Sequence, residues 1–432
     1  MKITVIGTGY LGATHAAAMA ELGHDVLGLD VDQSKVDRLN SGEVPFFEPG
    51  LPELLKRNLE TGRLRFTTSY GEVGRFGDVH FVCVGTPQKK GEFAADLTYV
   101  DAAVQSLLPV LRAGSLVVGK STVPLGTAAR ISEQVERMGA SLVWNPEFLR
   151  EGFAVEDTLN PDRIVMGAEA EPAAKHLCEV YQTILDRGVP LVVTDFATAE
   201  LVKVAANSFL ATKISFINAM AEVCEATGAD VTQLAKALSY DVRIGGKFLH
   251  AGLGFGGGCL PKDIRAFMAR AGELGVDQAL SFLKEVDEIN KRRRARMVDL
   301  TRELCDGSLA GMRVAVLGAA FKPNSDDIRD SPALDVALAI QRAGSAVRVY
   351  DPQAMDNARV SYPTLGYSAS AIEAARGADV VLHLTEWEEF RELEPEVLSE
   401  VVNERRIVDG RNALDREKWR DAGWTYRALG RS

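Results

Sequence analysis

The chain has 432 residues, 46% hydrophobic and 25% charged, an ordinary globular composition with room for two or three domains. A formal net charge of −11 argues against a general nucleic-acid binder, and no apolar run approaches the roughly 18 residues of a membrane span. Five scattered cysteines without a CxxC pair, and six histidines without a pair at helical spacing, point to a reduced, cytoplasmic protein with no structural metal.

In chain order, "MKITVIGTGYLG" reads as a strand entering a glycine turn, not as a cleavable signal. "YLGATHAAAMAELG" is an Ala-rich helix closed by Gly23, and "DVLGLD" is a second strand ending in Asp30. Further apolar runs follow at 78–87, 115–124 and 141–148, with helical stretches between several of them. Strands alternating with helices predict a mostly parallel, doubly wound sheet. Residues 197–228 contain no Gly or Pro before Gly228 and read as one long amphipathic helix. Helical material continues to about residue 306, and its basic run "NKRRRAR" (290–296) reads as a solvated helix face. The α/β rhythm resumes at 311 with strands in "MRVAVLG", "AVRVYDP", "ADVVLHLTEW" and "RIVDGRN" and a helix in "SPALDVALAIQRAG". The fold class is α/β: two Rossmann-like doubly wound domains joined by a long central helix and a helical region. The second domain lacks the first's glycine fingerprint.

"GTGYLG" places Gly7, Gly9 and Gly12 in GxGxxG spacing, with Leu11 inside the turn. The motif follows a strand, opens a helix and precedes Asp30, the context of a dinucleotide site. Gly7 permits the tight turn, Gly9 lets the backbone approach a pyrophosphate, and Gly12 allows close helix–strand packing. The helix N-terminus offers free N–H groups to the phosphates. Asp30 would accept hydrogen bonds from the ribose hydroxyls and repel a 2′-phosphate, which favours NAD over NADP. Lys35, five residues on, could shift that balance.

"GFGGGCLPKD" (254–263) sets a lone thiol, Cys259, before a predicted helix that opens near Pro261. Helix dipole and free N–H groups there favour the thiolate, and Lys262 adds positive charge. Gly256, Gly257 and Gly258 would leave room for a substrate beside the sulfur. The other four cysteines read as packing residues. A NAD domain with a reactive cysteine suggests aldehyde oxidation through a thioester. Such chemistry needs an oxyanion stabiliser and a means of activating water. Lys203 and Asn207 are four residues apart on the long helix, hence on one face. "NPEFLREG" (145–152) supplies Glu147 and Glu151 as candidate bases. Each of these residues alone reads equally well as a solvated or capping group.

Together the motifs resemble the nucleotide-sugar dehydrogenase family, which includes UDP-glucose, GDP-mannose and UDP-N-acetylhexosamine dehydrogenases. The resemblance runs from "GTGYLG" through "STVPLGT" (121–127), "NPEFLREG", "PDRIVMG" (161–167), "DVRIGGKFLHAGLGFGGGCLPKD" (241–263) and "FKPNSDDIRDSP" (321–332) to "DGRN". "NPEFLREG" with "PDRIVMG" looks more like the UDP-glucose branch, which oxidises the C6 alcohol twice with two NAD to give UDP-glucuronate.

By that resemblance Cys259 is the nucleophile, Lys203 and Asn207 stabilise the oxygen at C6, and Asp263 works with a water in proton transfer. Glu147 serves thioester hydrolysis, with Thr122 beside that water. The cofactor contacts are Asp30, Lys35, Thr86, Thr122, Glu151, Lys262 and Arg329, besides the glycine turn. The substrate contacts are Glu147, Phe148, Leu149, Arg150, Glu151, Lys203, Asn207, Phe248, Leu249, His250, Ala251, Gly252, Gly256, Lys322 and Arg411, with Arg243 reaching a neighbouring subunit's site. The implied division is a NAD-binding domain over 1–196, a central dimerisation region carrying the cysteine over 197–306, and a UDP-sugar-binding domain over 307–432. A homodimer or higher homo-oligomer is implied, with no membrane partner. The same chemistry on another nucleotide-sugar, and a NAD-binding sensor without turnover, are the competing readings.

Overall fold

The computed structural model describes residues 1–431. Contacts divide it into two units: Met1–Ala206 with Arg265–Gly275, and Asn207–Ile264 with the chain from Val276 onward.

The first unit is built on an eight-stranded sheet: β1 Lys2–Ile6, β2 Asp25–Leu29, β3 Leu64–Thr67, β4 Val79–Val82, β5 Leu116–Gly119, β6 Ser141–Trp144, β7 Ile164–Gly167 and β8 Leu191–Thr194. The strand order is β3-β2-β1-β4-β5-β6-β7-β8, and only the β6–β7 pair is antiparallel. β1 pairs with β2 in the register Lys2↔Asp25 to Ile6↔Leu29, and with β4 on its other side. Alternate residues of β1 feed opposite faces: Ile3 and Val5 join one buried cluster, and Ile6 the other. Both faces are covered, which is why the strands read as continuous apolar runs. Strand order reverses around β1, so the crevice at the ends of β1 and β4 is the expected ligand position.

The second unit holds a six-stranded sheet: β9 Arg313–Leu317, β10 Ala346–Tyr350, β11 Gly366–Tyr367, β12 Val380–His383, β13 Arg406–Asp409 and β14 Thr425–Ala428. Its order is β11-β10-β9-β12-β13-β14, all parallel. Here Asp351, just after β10, closes the turn that follows β9, because its Oδ2 accepts N–H bonds from Ala319 (2.8 Å) and Ala320 (2.9 Å). The expected α/β class with two Rossmann-like sheets is therefore found. Strands β3, β7, β8, β11 and β14 go beyond the sequence reading; each has only two to four residues.

The long helix spans Phe196–Thr227, and Gly228 (φ 75°) ends it. Helices Leu260–Glu273 and Ser281–Leu304 follow. The solvated-face reading of 290–296 fails for three residues, Asn290 among them. Arg293 and Arg294 are only 1% and 9% exposed. Arg293 pairs with Glu225 at 2.5 Å and Arg294 with Asp330 at 2.8 Å. The reason is geometric: at 3.6 residues per turn, consecutive cations sweep the whole helix circumference and cannot all face water.

Candidate active site

In the first unit, Gly7 has φ 85°, and a side chain there would strike Val84. A side chain at Gly12 would strike the Gly7 carbonyl, whereas at Gly9 it would meet open space. The turn is thus closed where helix meets strand and open where a pyrophosphate would approach, so these residues fit a dinucleotide. Leu11 packs against the core beside them. The Asp30 carboxylate is 7% exposed. Its Oδ2 accepts bonds from the Thr8 N–H (2.9 Å) and the Lys35 ammonium (2.9 Å). Burial opposes its charge, but Lys35 and the Asp32 and Thr8 N–H groups outweigh it and hold its pKa below the usual range. Its Oδ1 accepts a longer bond, from the Asp32 N–H at 3.2 Å. The Thr86 hydroxyl donates to the Thr122 carbonyl at 2.7 Å, bringing two expected cofactor contacts together.

The "NPEFLREG" loop leaves β6 in the same unit. Glu147 accepts from Lys203 at 3.0 Å and from the Leu149 N–H at 2.7 Å. The Phe148 ring lies beneath the Lys203 ammonium (5.6 Å) and the Arg163 guanidinium (3.9 Å). Arg150 is exposed and pairs with Asp157, while Glu151 is buried.

In the second unit, Cys259 is exposed and immediately precedes the Leu260–Glu273 helix. Its carbonyl accepts the Asp263 N–H at 2.9 Å. Asp263, 2% exposed, accepts from the Asn207 amide at 2.6 Å and from Lys262 at 2.5 Å. Burial raises the thiol pKa of the other four cysteines, that of Cys83 to about 12. Lys203 and Asn207 occupy successive turns of one continuous helix.

One expectation is corrected. Gly256, Gly257 and Gly258 do not hold open space for a substrate. Side chains there would meet the Asp330 carbonyl, the Phe321 ring and the Arg329 guanidinium respectively. The missing side chains instead let the 321–330 segment lie against the cysteine loop, and the Gly257 N–H donates to the Arg329 carbonyl at 2.8 Å.

Among the remaining candidates, Leu249 and Ala251 are buried in a small cluster with Ile217, Ala221 and Val231, and His250 is exposed. Phe248 adopts φ 65°, and the Gly252 N–H donates to Asn218 at 2.9 Å. Arg243 is exposed and paired with Asp241. Lys322 lies over the Phe321 ring at 5.5 Å. The Arg411 guanidinium donates to the carbonyls of Leu384 (2.7 Å), Gly254 (2.9 Å) and Phe321 (3.1 Å), and burial lowers its pKa.

Two supporting groups escaped the sequence reading. Lys120 is buried at the end of β5 and donates to the side-chain amide oxygen (Oδ1) of Asn145 at 3.0 Å. Burial pushes it down to about 8. A lysine ending the apolar run "LVVG" was the available signal. Glu48, 2% exposed, accepts the Gly152 and Ala154 N–H groups at 2.7 Å each and the Tyr10 hydroxyl. It thereby ties the glycine turn to the "NPEFLREG" loop; nothing local in "FFEPG" signals this. Among the described residues no His, Cys, Asp or Glu cluster could hold a metal ion, and no helix is long and apolar enough to cross a membrane.

Family models match three successive segments: the NAD binding domain over residues 1–185, the central domain over 197–292 and the UDP binding domain over 315–416 of the UDP-glucose/GDP-mannose dehydrogenase family. The chain is 41% identical to a UDP-glucose 6-dehydrogenase of Rhizobium meliloti (strain 1021), covering 100% of both chains. It is 40% identical to the UDP-glucose 6-dehydrogenase TuaD of Bacillus subtilis (strain 168), covering 100% of this chain and 93% of the relative. A UDP-glucose dehydrogenase structure from the archaeon Pyrobaculum islandicum superposes with TM-score 0.91 at 39% identity, covering 100% of this chain and 98% of that one. A UDP-D-ManNAc dehydrogenase from Pyrococcus horikoshii does so with TM-score 0.87 at 27% identity, covering 100% and 99%. With matching models over all three segments and relatives of this identity over its full length, the chain belongs to the UDP-glucose/GDP-mannose dehydrogenase family, and its N-terminal segment is that family's NAD-binding domain.

Proposed function

We propose that this chain oxidises UDP-glucose to UDP-glucuronate, a four-electron change at C6 that uses two NAD in succession. The observation that carries the reading is the exposed Cys259 at a helix N-terminus, with Asp263 one turn on and bonded to Asn207, in a chain about 41% identical to UDP-glucose 6-dehydrogenases. Bound NAD supplies the hydride acceptor, and the glycine turn with Asp30 holds it. Asp263, with a water, takes the proton of the C6 hydroxyl as hydride leaves. The Cys259 thiolate, favoured by the helix N-terminus, adds to the resulting aldehyde. Lys203 and Asn207 stabilise the oxygen of that thiohemiacetal. Loss of a second hydride leaves a thioester on sulfur. Glu147 directs water onto it, with Thr122 beside that water, and the acid departs as the thiolate re-forms.

The substrate contacts are those the family resemblance implies, with Arg411 holding loop backbone rather than open space. The working assembly is a cytoplasmic homodimer or higher oligomer; Phe209, Phe216 and Val223, each exposed and seven residues apart on the long helix, supply the self-association face.

A kinetic panel of UDP-glucose, UDP-N-acetylhexosamines and GDP-mannose tests the substrate. We expect clear preference for UDP-glucose in kcat/KM; preference for either of the others would move the chain to a sister activity. NADH formation with any of them excludes a sensor without turnover.

A further inference from the structure

We propose that Asn290 and Arg294, one turn apart on the Ser281–Leu304 helix, are positioning residues for the nucleophile, fixing the backbone that presents Cys259. The inference rests on the reading of Cys259 given above. It also gives the basic run at 290–296 a function that its charge alone does not suggest.

Asn290 is 1% exposed and grips one residue from both sides. Its Oδ1 accepts the Phe255 N–H and its Nδ2 donates to the Phe255 carbonyl, each at 2.8 Å. A side chain at Gly254 would collide with this amide, so the loop can reach it only because that position is glycine. Arg294 adds a donor to the same Phe255 carbonyl at 3.0 Å. Its other nitrogen binds Asp330 at 2.8 Å and also Asp335. Arg294 therefore joins the cysteine loop to the segment whose Arg329 carbonyl accepts the Gly257 N–H.

The grip lies four residues before the thiol, in a loop with three glycines between. Glycine-rich backbone has little stiffness of its own, so its course must be imposed from outside. Asn290 satisfies both polar groups of Phe255, and no water needs to enter while it stays. Releasing it lets the loop shift, and the sulfur then leaves its place at the helix N-terminus, where thiolate and attack geometry are both set.

The test uses the full-length protein with UDP-glucose and NAD. The variants are Asn290→Ala, Asn290→Asp, which keeps the acceptor and loses the donor, and Arg294→Lys. Arg292→Ala, in the same run but solvent-facing, is the control. The readouts are kcat, KM for NAD, and the pH midpoint of iodoacetamide alkylation at Cys259, located by mass spectrometry. We expect kcat to fall by between about tenfold and a hundredfold, as for misplacement on the ångström scale, with KM for NAD unchanged and the alkylation midpoint moved upward. Arg292→Ala should match wild type. If Asn290→Ala does not fold, Asn290→Asp and Arg294→Lys carry the same expectation. A lowered melting temperature with unchanged kcat and alkylation midpoint would overturn the proposal, as would a kcat loss without a change at Cys259. Cys259→Ser, assayed alongside, separates the two claims. Turnover retained in that variant refutes the nucleophile reading, whereas a moved alkylation midpoint in Asn290→Asp still upholds the positioning.

Discussion

Replacing Lys120 by methionine removes a cation buried behind the "NPEFLREG" loop and makes its cost measurable. The ammonium is pushed down to about 8 from an ordinary 10.5, chiefly by burial, with Lys203 also opposing it. Below about pH 8 folded and unfolded chains both hold the proton, and the burial penalty applies in full. Between that pH and about 10.5 the unfolded chain keeps a proton that the folded chain has released, so stability rises with pH. At about 1.4 kcal/mol per pH unit the gain across this window is about 3 kcal/mol. Methionine has no such window. It loses the bonds to Asn145 (3.0 Å) and Tyr181 (3.4 Å), but that loss is nearly constant with pH. Urea unfolding of both proteins at half-unit steps from pH 7 to 10.5 reads the difference directly. Wild type should gain about 3 kcal/mol on Lys120→Met over the window. Parallel curves, within about 1 kcal/mol throughout, would show that the lysine is not desolvated and would refute the reasoning.

Other outcomes follow from the same geometry. Glu48→Gln leaves one of the Gly152 and Ala154 N–H groups facing an amide donor. It should destabilise the first unit by about 2 kcal/mol and lower its calorimetric transition by about 4–8 °C, while slowing NADH formation. Asp30→Ala should weaken NAD binding by about 1–3 kcal/mol in titration calorimetry; an unchanged affinity would place the ribose contact elsewhere. Cys259→Ser should abolish the complete reaction, because an alkoxide is hard to form near neutral pH and leaves poorly; near-wild-type turnover contradicts the assignment. Phe216→Glu should lower the mass seen by light scattering, and an unchanged mass would remove the long helix from the interface.

What was legible in the sequence was local. "GTGYLG" between a strand and a helix, with Asp30 closing the next strand, needs only short-range spacing, and Gly7, Gly9 and Gly12 stand in the turn as that spacing implies. The Cys259–Pro261 step into a helix is equally local, as is the one-turn spacing of Lys203 and Asn207. The rest depends on contacts between segments distant in sequence. Glu48 reaches Gly152 across 104 residues, and Asn290 reaches Phe255 across 35. Neither distance carries a periodic signal. The glycines before Cys259 show the limit from the other side. They read as room for a substrate, because composition cannot distinguish a ligand from the chain's own Phe321–Asp330 segment, which is what lies against them. The basic run misled in the same way, since a charge pattern does not reveal that Glu225 and Asp330 wait on the inner face of the helix.

The most direct test is the count of NADH formed per UDP-glucose consumed, with limiting sugar nucleotide and excess NAD. A thioester held on Cys259 between two hydride transfers requires a ratio of about two, with no free aldehyde trapped by semicarbazide. A ratio near one, with aldehyde released, would contradict the account and leave the exposed thiol at the head of its helix without a chemical role.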